Sequence, residues 1–203
     1  MSAEEAMQRQ KRYEDYGYVL DVFPPSQHRG AGQRFIHDRN EFVVQLLGEE
    51  FFTLLEVAVN EKFKPKLGAK IYIGRDVPRE IVRILRRVGF EDLTETAVSN
   101  LEPAIRKIIE ESPQRFIDFI NNSGLLTPRL HALELIPGIG KKMLQKFLTE
   151  RDVARFQSFE DVKNRTGHPN PVDAFCKRVL QELKNKEEKY RLFVREPAGR
   201  EGF

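Results

Sequence analysis

Residues 133–151 read LELIPGIGKKMLQKFLTER, in which glycines flank Ile139 between two apolar segments. Apolar residues recur at helical spacing before Pro137 and after Gly140, which predicts two short helices joined by a tight turn. Glycine permits backbone angles that other residues avoid and lets a second backbone approach without a Cβ in the way. The first-turn N–H groups of the second helix, with the positive end of its dipole, are therefore predicted to face the turn. That position suits an anion such as a phosphate.

This stretch resembles the helix-hairpin-helix motif of DNA repair and recombination proteins, and the likeness covers residues 129–151. The resemblance implies phosphate contacts that are largely independent of base sequence. The amides it implies as phosphate ligands are those of Gly138, Gly140, Lys142 and Met143. Positive charge beside them comes from Lys141, Lys142 and Lys146. It also implies, from some members, a monovalent cation held by the carbonyls of Glu134, Ile136 and Ile139. A purely structural or protein-binding hairpin remains the alternative.

A degenerate second copy of the pattern follows at residues 158–184. It places Gly167 where Gly138 stands and Pro169 where Gly140 stands. Because proline has no N–H group, phosphate binding by this copy is disfavoured and a structural role is expected. The paired arrangement resembles the middle domain of the Holliday-junction protein RuvA, which implies two hairpins packed as a pseudo-symmetric unit.

The first part of the chain is typical of strands. Short β-branched and aromatic runs occur at residues 17–23, 42–47, 51–59 and 70–74, with turn signals between them. The loop that begins with Gly48 has hairpin length, and this glycine is expected to take an unusual backbone angle. Together these runs predict a small antiparallel OB-like β-barrel over residues 13–78.

Helical spacing begins after Asp76, first with Ile81, Ile84, Leu85 and Val88. We therefore expect an α+β fold in which the barrel is followed by an all-α helix-hairpin-helix domain over residues 79–194. Residues 190–194 are strand-like, residues 1–12 are expected to form a flexible arm, and residues 195–203 a loose tail.

Positive charge is distributed unevenly. The net charge is only +3, yet residues 60–87 hold nine basic and three acidic side chains. Such a cluster indicates either a phosphate-binding surface or a solvated face. In the Gly-rich loop 27–34, Arg29 and Arg34 are further candidate nucleic-acid contacts. Aromatic side chains that either stack on bases or fill the barrel are Tyr18, Phe42, Phe51, Phe52 and Tyr72.

Several protein classes are disfavoured by the sequence. No apolar run approaches the ~18 residues of a membrane span, and the polar N-terminus does not resemble a secretory signal. Cys176 is the single cysteine, which excludes an internal disulfide and a Cys-rich zinc site. Neither a nucleotide-binding P-loop nor a catalytic constellation is present. These observations predict a cytoplasmic protein with no membrane partner and no enzymatic activity.

The whole chain resembles an uncharacterised, mostly archaeal family. The likeness is carried, in order, by residues 17–24, 48–57, 71–74, 91–94, 129–142 and 190–194. It implies an OB-fold-like N-terminal domain, a helix-hairpin-helix C-terminal domain and binding of nucleic acid, often RNA.

The favoured hypothesis is a non-enzymatic protein that binds RNA or DNA by its backbone, with the hairpin and the basic barrel as contact surfaces. The alternative is a protein-interaction adaptor in a nucleic-acid-processing complex. A nuclease or lyase is least favoured because no carboxylate cluster is present.

Overall fold

The computed structural model describes residues 13–27 and 40–195, which fall into two compact units. The described part of the first unit runs to Leu101 and includes Arg195, whereas residues 102–194 form the second. The expected arm at 1–12, the tail beyond 195 and the loop with Arg29 and Arg34 lie outside the described residues. Within the described ranges, no helix is long and apolar enough to cross a membrane.

The first unit is a curled five-stranded antiparallel sheet in the form of a half-barrel. Its spatial order is β4-β1-β2-β3-β5, of which the first four strands follow Greek-key order. The edge strands β4 and β5 do not pair with each other in the described part of the chain, so the sheet stays open. The strands are β1 (Tyr16–Phe23), β2 (Glu41–Gly48), β3 (Leu54–Asn60), β4 (Lys70–Tyr72) and β5 (Val82–Arg87).

The core of this unit is aliphatic, and its central strands are buried along most of their length. The buried cluster consists of Val19, Val44, Leu46, Leu55, Val57, Val59, Ile73 and Val82. Tyr18 and Phe52 are both fully buried, so these two aromatic side chains fill the core and do not offer a stacking face.

The turn between β2 and β3 is built around a buried carboxylate. The N–H groups of Glu50, Phe51 and Thr53 donate to Glu14 at 2.8, 3.0 and 3.1 Å. A Cβ on Gly48 would collide with this carboxylate. The prediction of an unusual angle at Gly48 is wrong, because the residue with positive φ in this turn is Phe52, at 51°. Gly48 provides room for Glu14.

The predicted helix over residues 81–88 is wrong, because this segment forms β5. It pairs antiparallel with β3, with Val82 opposite Val59 and Arg87 opposite Leu55. Cross-strand ion pairs support the pairing, since Arg86 Nε lies 2.7 Å from Glu56 Oε2. The first unit therefore extends to Leu101, beyond the expected limit at residue 78.

The second unit is mainly helical, and the division between the units falls within its first helix. The helices are α1 (Glu95–Glu111), α2 (Gln114–Asn122), α3 (Lys141–Val153), α4 (Phe159–Thr166) and α5 (Pro171–Lys184). Between α2 and α3 lie two short strands, β6 (Leu125–Thr127) and β7 (Leu130–His131), and a 3₁₀ turn (Ala132–Leu135). The α-helix expected before the hairpin is therefore a short strand pair followed by a single 3₁₀ turn. The molecule is a mixed α+β protein.

Phenylalanine rings form the centre of the second unit, with ring centroids 5.1–6.4 Å apart. The cluster consists of Phe116, Phe119, Phe159, Phe175 and Phe193. Residues 190–194, expected as a strand, form no strand. They are tied to α5 because the fully buried carboxylate of Glu182 accepts from the N–H groups of Leu192, Phe193 and Val194 at 2.9–3.0 Å.

Glu182 also pairs with the buried Arg178, with Nε and Oε1 2.8 Å apart. We expect Glu182→Ala to destabilise the protein by about 3–5 kcal/mol, because three amides and Nε of Arg178 lose their acceptor, and the buried guanidinium keeps only Glu188 and the Tyr190 carbonyl among the described residues. Urea denaturation measures the change. The exposed Glu187 is the matched control, and Glu187→Ala should cost less than about 0.5 kcal/mol. Equal losses in the two variants would contradict this account.

Candidate nucleic-acid interface

The turn between the 3₁₀ segment and α3 requires glycine at one position. Gly138 has φ +90°, a left-handed conformation that side chains disfavour. A Cβ at this residue would also lie 2.9 Å from Nε2 of His168. Next to it, Ile139 is buried, and its N–H donates to the Ile136 carbonyl at 3.0 Å. The turn is therefore fixed by the buried Ile139 and by Gly138, which lies against the buried His168.

The start of α3 leaves its donors unbonded. Its N-cap is Gly140, which has no side chain to accept a hydrogen bond, and the first turn contains no acidic residue. The first helical bond of α3 runs from Leu144 N–H to the Gly140 carbonyl at 2.8 Å. Within the described ranges, no acceptor contacts the N–H groups of Gly138, Gly140, Lys141, Lys142 or Met143. These are the amides that an anion can bind.

Three lysines surround these donors without being neutralised. Lys141, Lys142 and Lys146 are exposed, and none has an ion pair with a residue that the structure describes. The nearest acidic side chains in sequence are already engaged: Glu134 accepts from His131 N–H at 2.9 Å, and Glu150 pairs with Arg165. The positive field at the start of α3 is therefore available to an external ligand.

Two arginines near the end of α3, Arg151 and Arg155, have structural partners. Arg151 donates to the carbonyls of Ile120 and Ser123, at 3.1 and 2.8 Å, at the end of α2. Arg155 donates to Asn122 Oδ1 at 3.0 Å. In the described ranges, the cations of the hairpin that have no structural partner are thus its lysines and the exposed Arg129.

The second copy has the same kind of turn but a different helix start. Gly167 has φ +74°, matching the left-handed angle of Gly138. However, α5 begins with Pro171, which has no N–H, and the Asn170 side chain accepts from Asp173 N–H at 3.0 Å. The second copy therefore caps its own helix, and the first turn of α5 contains Asp173, whereas that of α3 contains two lysines.

The two glycines of the first hairpin have different requirements. Gly140 has φ −80° and ψ 178°, an extended conformation open to any residue, and no atom lies within 4 Å of a Cβ placed on it. Neither the backbone angle nor the packing demands glycine at position 140. The missing side chain leaves open space in front of the unbonded amides.

The expected cation ligands line one shallow groove of about 400 Å³, with Arg178 and Gln181 on its wall. The Ile136 carbonyl accepts one hydrogen bond, while the carbonyls of Glu134 and Ile139 accept none from the described residues. Carbonyl oxygens are suitable ligands for a hard cation, so the chemistry of these residues is compatible with the expected monovalent cation.

Three basic side chains of the first unit's cluster are neutralised by acidic residues from outside its sequence window. Arg83 donates to both carboxylate oxygens of Glu41, Lys70 pairs with Glu49 and Arg86 with Glu56. Lys64 lies over the Phe42 ring, 4.0 Å from its centroid. The excess of positive charge counted in the sequence therefore overstates the field on this surface.

Residues 13–195 match the profile of the family described as "Protein of unknown function (DUF655)". The chain belongs to this family. It is 36% identical over 186 residues to the Uncharacterized protein MJ0038 of Methanocaldococcus jannaschii, which covers 91% of this chain and 82% of that protein. The crystal structure of Af1531 from Archaeoglobus fulgidus is similar with a TM-score of 0.77 and 38% identity, over 90% of this chain and 100% of that one. The resemblance to an archaeal family of unknown function is confirmed.

Sequence reasoning on this DUF655 chain missed the role of His168. Its ring is buried beside the Gly138 turn and packs edge-on against Phe147, with centroids 6.3 Å apart. Neither ring nitrogen has a hydrogen-bond partner among the described residues. The same alignment that pairs the turn glycines places His168 at the position of the buried Ile139, which is the signal that identifies it as an inward residue.

Burial lowers the pKa of His168, and the Pro137 carbonyl, outside hydrogen-bond geometry, partly opposes this. Burial also lowers the pKa of His131, with a further contribution from Arg151.

Burial raises the pKa of Cys176 to about 11, which keeps its thiol protonated and unreactive. Among the described residues, no cluster of His, Cys, Asp or Glu is arranged to hold a metal ion.

The two hairpin glycines give a prediction about stability. Gly138→Ala should destabilise the DUF655 chain by about 2 kcal/mol or more, because it strains a left-handed backbone and clashes with His168. Gly140→Ala should cost less than about 1 kcal/mol, since it affects only the helix start. Urea denaturation of both variants compares these costs, and equal losses would contradict the assigned roles.

A further prediction concerns the pH dependence of stability. A histidine with a lowered pKa in the folded state takes up protons first in the unfolded state, whose pKa is about 6.5. Stability should therefore be complete above about pH 6.5 and fall as the pH decreases through that value. Unfolding free energies measured between about pH 7.5 and 5.5 should fall less steeply in His168→Gln, with His131 supplying the remaining slope. An unchanged slope in the variant would remove His168 from this effect.

Proposed function

We propose that this DUF655 chain binds RNA or DNA through the phosphate backbone at the start of α3, without base specificity and without catalysis. The single observation that carries the proposal is the row of unbonded, exposed amides at a helix start that lacks both a cap and an acidic residue. Phosphate oxygens accept from such amides, and the dipole of α3 adds to the attraction.

The lysines strengthen this proposal by a separate effect. Lys141, Lys142 and Lys146 have no ion pairs to break within the described residues before they contact a phosphate. Each lysine that neutralises a phosphate releases condensed counterions, so affinity is expected to fall steeply as salt concentration rises. Backbone contacts of this kind position a nucleic acid but do not read its bases.

We propose in addition that the two units are an OB-like half-barrel and a helix-hairpin-helix domain. The Greek-key order of β1 to β4 supports the first assignment, since OB-folds are five-stranded, partly open Greek-key barrels. The matched left-handed glycines Gly138 and Gly167 support the second. Arg29 and Arg34, the monovalent cation and a cytoplasmic location remain predictions.

The protein-interaction adaptor remains the alternative proposal. A buried hairpin with Lys141 and Lys142 paired to acidic residues would favour it. In the described part of the chain these lysines are exposed and have no such pairs, which favours the nucleic-acid proposal.

Gly140→Asp tests the proposal by changing stability and binding in opposite directions. An Asp at the N-cap accepts from the first-turn amides and complements the dipole, so stability should stay equal or rise by up to about 1 kcal/mol. The same carboxylate occupies and repels the phosphate position, so affinity should fall at least about tenfold. Fluorescence anisotropy with labelled single- and double-stranded RNA and DNA measures binding.

The matched control is Gly124→Asp, because Gly124 is also exposed and has open space around a placed Cβ. It introduces the same charge into the same unit and should leave affinity within about twofold of the wild type. Equal affinity of Gly140→Asp and the wild type for every probe would refute phosphate binding at the hairpin. A parallel salt titration should give a log–log slope that is smaller by up to about two in Lys141→Gln/Lys142→Gln.

A further inference from the structure

Three exposed tyrosines lie at the β4 edge of the half-barrel. Tyr13, Tyr16 and Tyr72 are 46%, 42% and 38% exposed, although large aromatic side chains usually bury most of their surface. Tyr16 and Tyr72 are cross-strand partners on β1 and β4, with ring centroids 5.2 Å apart at an angle of 61°. We call these three side chains the tyrosine platform. Only Tyr72 of the three is among the aromatic side chains that the sequence offers as candidates for base stacking.

The ring of Tyr72 is held in position from several sides. Its hydroxyl donates to Asp76, and the ring lies over Gly74, where a Cβ would collide with it. The hydrogen bond to Asp76 raises the pKa of Tyr72 to about 12, which keeps the phenol neutral. A rigid, uncharged ring at an exposed edge loses little conformational freedom when a ligand stacks on it.

Cations lie against the platform. The Arg75 guanidinium is 3.9 Å from the centroid of Tyr13, and the Lys70 ammonium is 4.7 Å from the centroid of Tyr16. Arg75 and Arg79 are exposed and have no ion pair with the described residues. Two nearby acidic groups are already bonded, because Asp76 accepts from Tyr72 and Glu49 pairs with Lys70.

A groove of about 710 Å³ continues from the platform along the open side of the half-barrel. Tyr13 and Arg75 belong to both the platform and the groove. Arg79 lines the groove together with the apolar side chains of Val77 and Ile84. Aromatic faces, apolar walls and two unpaired guanidinium groups thus follow one another along one surface of the first unit.

We propose that the tyrosine platform and this groove bind unpaired nucleotides of single-stranded nucleic acid. Bases stack on exposed aromatic faces whatever their identity, and phosphates pair with arginines beside them. Bases inside a duplex have no exposed face for such stacking. The inference rests on the proposed function in taking a nucleic acid as ligand, but it uses a different unit and different residues.

A purely structural role for the tyrosines is the competing explanation. A cross-strand aromatic pair stabilises a sheet edge whether or not it contacts a ligand. Such a role requires neither Arg75 over the Tyr13 ring nor Arg79 in the groove to lack an ion pair. The two explanations differ in what they predict for binding, since only the stacking role distinguishes single strands from duplexes.

The test measures anisotropy with a labelled oligouridine of about 20 nucleotides, longer than the ~4–16 nucleotides typical of one single-strand-binding domain. A labelled RNA duplex of equal length is the second probe. Tyr16→Ala/Tyr72→Ala should weaken oligouridine binding roughly fivefold or more and leave duplex binding within about twofold. Tyr16→Phe/Tyr72→Phe keeps both rings and should bind oligouridine like the wild type.

Outcomes at the two sites are separable. Gly140→Asp should weaken binding of both probes, so its failure refutes the hairpin while leaving the platform. Unchanged oligouridine binding in the alanine variant overturns the platform, and so does an equal loss for both probes.

A third probe, a labelled proline-rich peptide, tests docking of an aromatic-binding protein segment. Platform-dependent binding of that peptide, with unchanged oligouridine binding, also overturns the inference. Arg75→Gln/Arg79→Gln, which leaves the rings intact, should lower the salt dependence of oligouridine binding, and an unchanged salt dependence counts against the proposal.

Discussion

The close approach of Gly138 to His168 is the constraint on which the candidate interface depends. A left-handed residue without a Cβ lets the two turns of the second unit meet, and Ile139 then points inward. With the turn fixed in this way, α3 starts in the open and its first amides remain unbonded. The geometry of the proposed phosphate site is therefore set on the opposite side of the turn, by packing of Gly138 against the turn that contains His168.

The start of α3 departs from the local rules that the neighbouring helices follow. The Ser158 side chain caps α4 and the Asn170 side chain caps α5, and both helices have acidic residues in their first turns. In contrast, α3 begins with glycine and lysines, an arrangement that gives up helix stability. Departures of this kind are expected where function, and not folding, selects the residues.

Local patterns were the parts of the molecule that the sequence predicted well. The Gly138 turn, the helices after it and strands β1 to β4 can each be predicted from a few adjacent residues. Strand β5 was not predictable, because its conformation depends on pairing with β3, more than 20 positions earlier in the chain. The prediction of surface charge was inaccurate for a similar reason, because the ion-pair partners Glu41, Glu49 and Glu56 lie outside the basic stretch 60–87. The exposure of Tyr13 and Tyr16 cannot be predicted without knowing which edge of the sheet stays open.

The tie between Glu182 and residues 192–194 has a consequence for how the second unit forms during synthesis. Until residues 192–194 have left the ribosome, Glu182 lacks these three backbone donors and Phe193 cannot join the phenylalanine cluster. Arg178 then faces a carboxylate that is not yet fixed in place. Native packing of the second unit is thus completed only after residues 192–194 have emerged, whereas the Greek-key strands of the first unit have emerged long before. A recombinant fragment meant to isolate the hairpin must therefore retain residues up to 194.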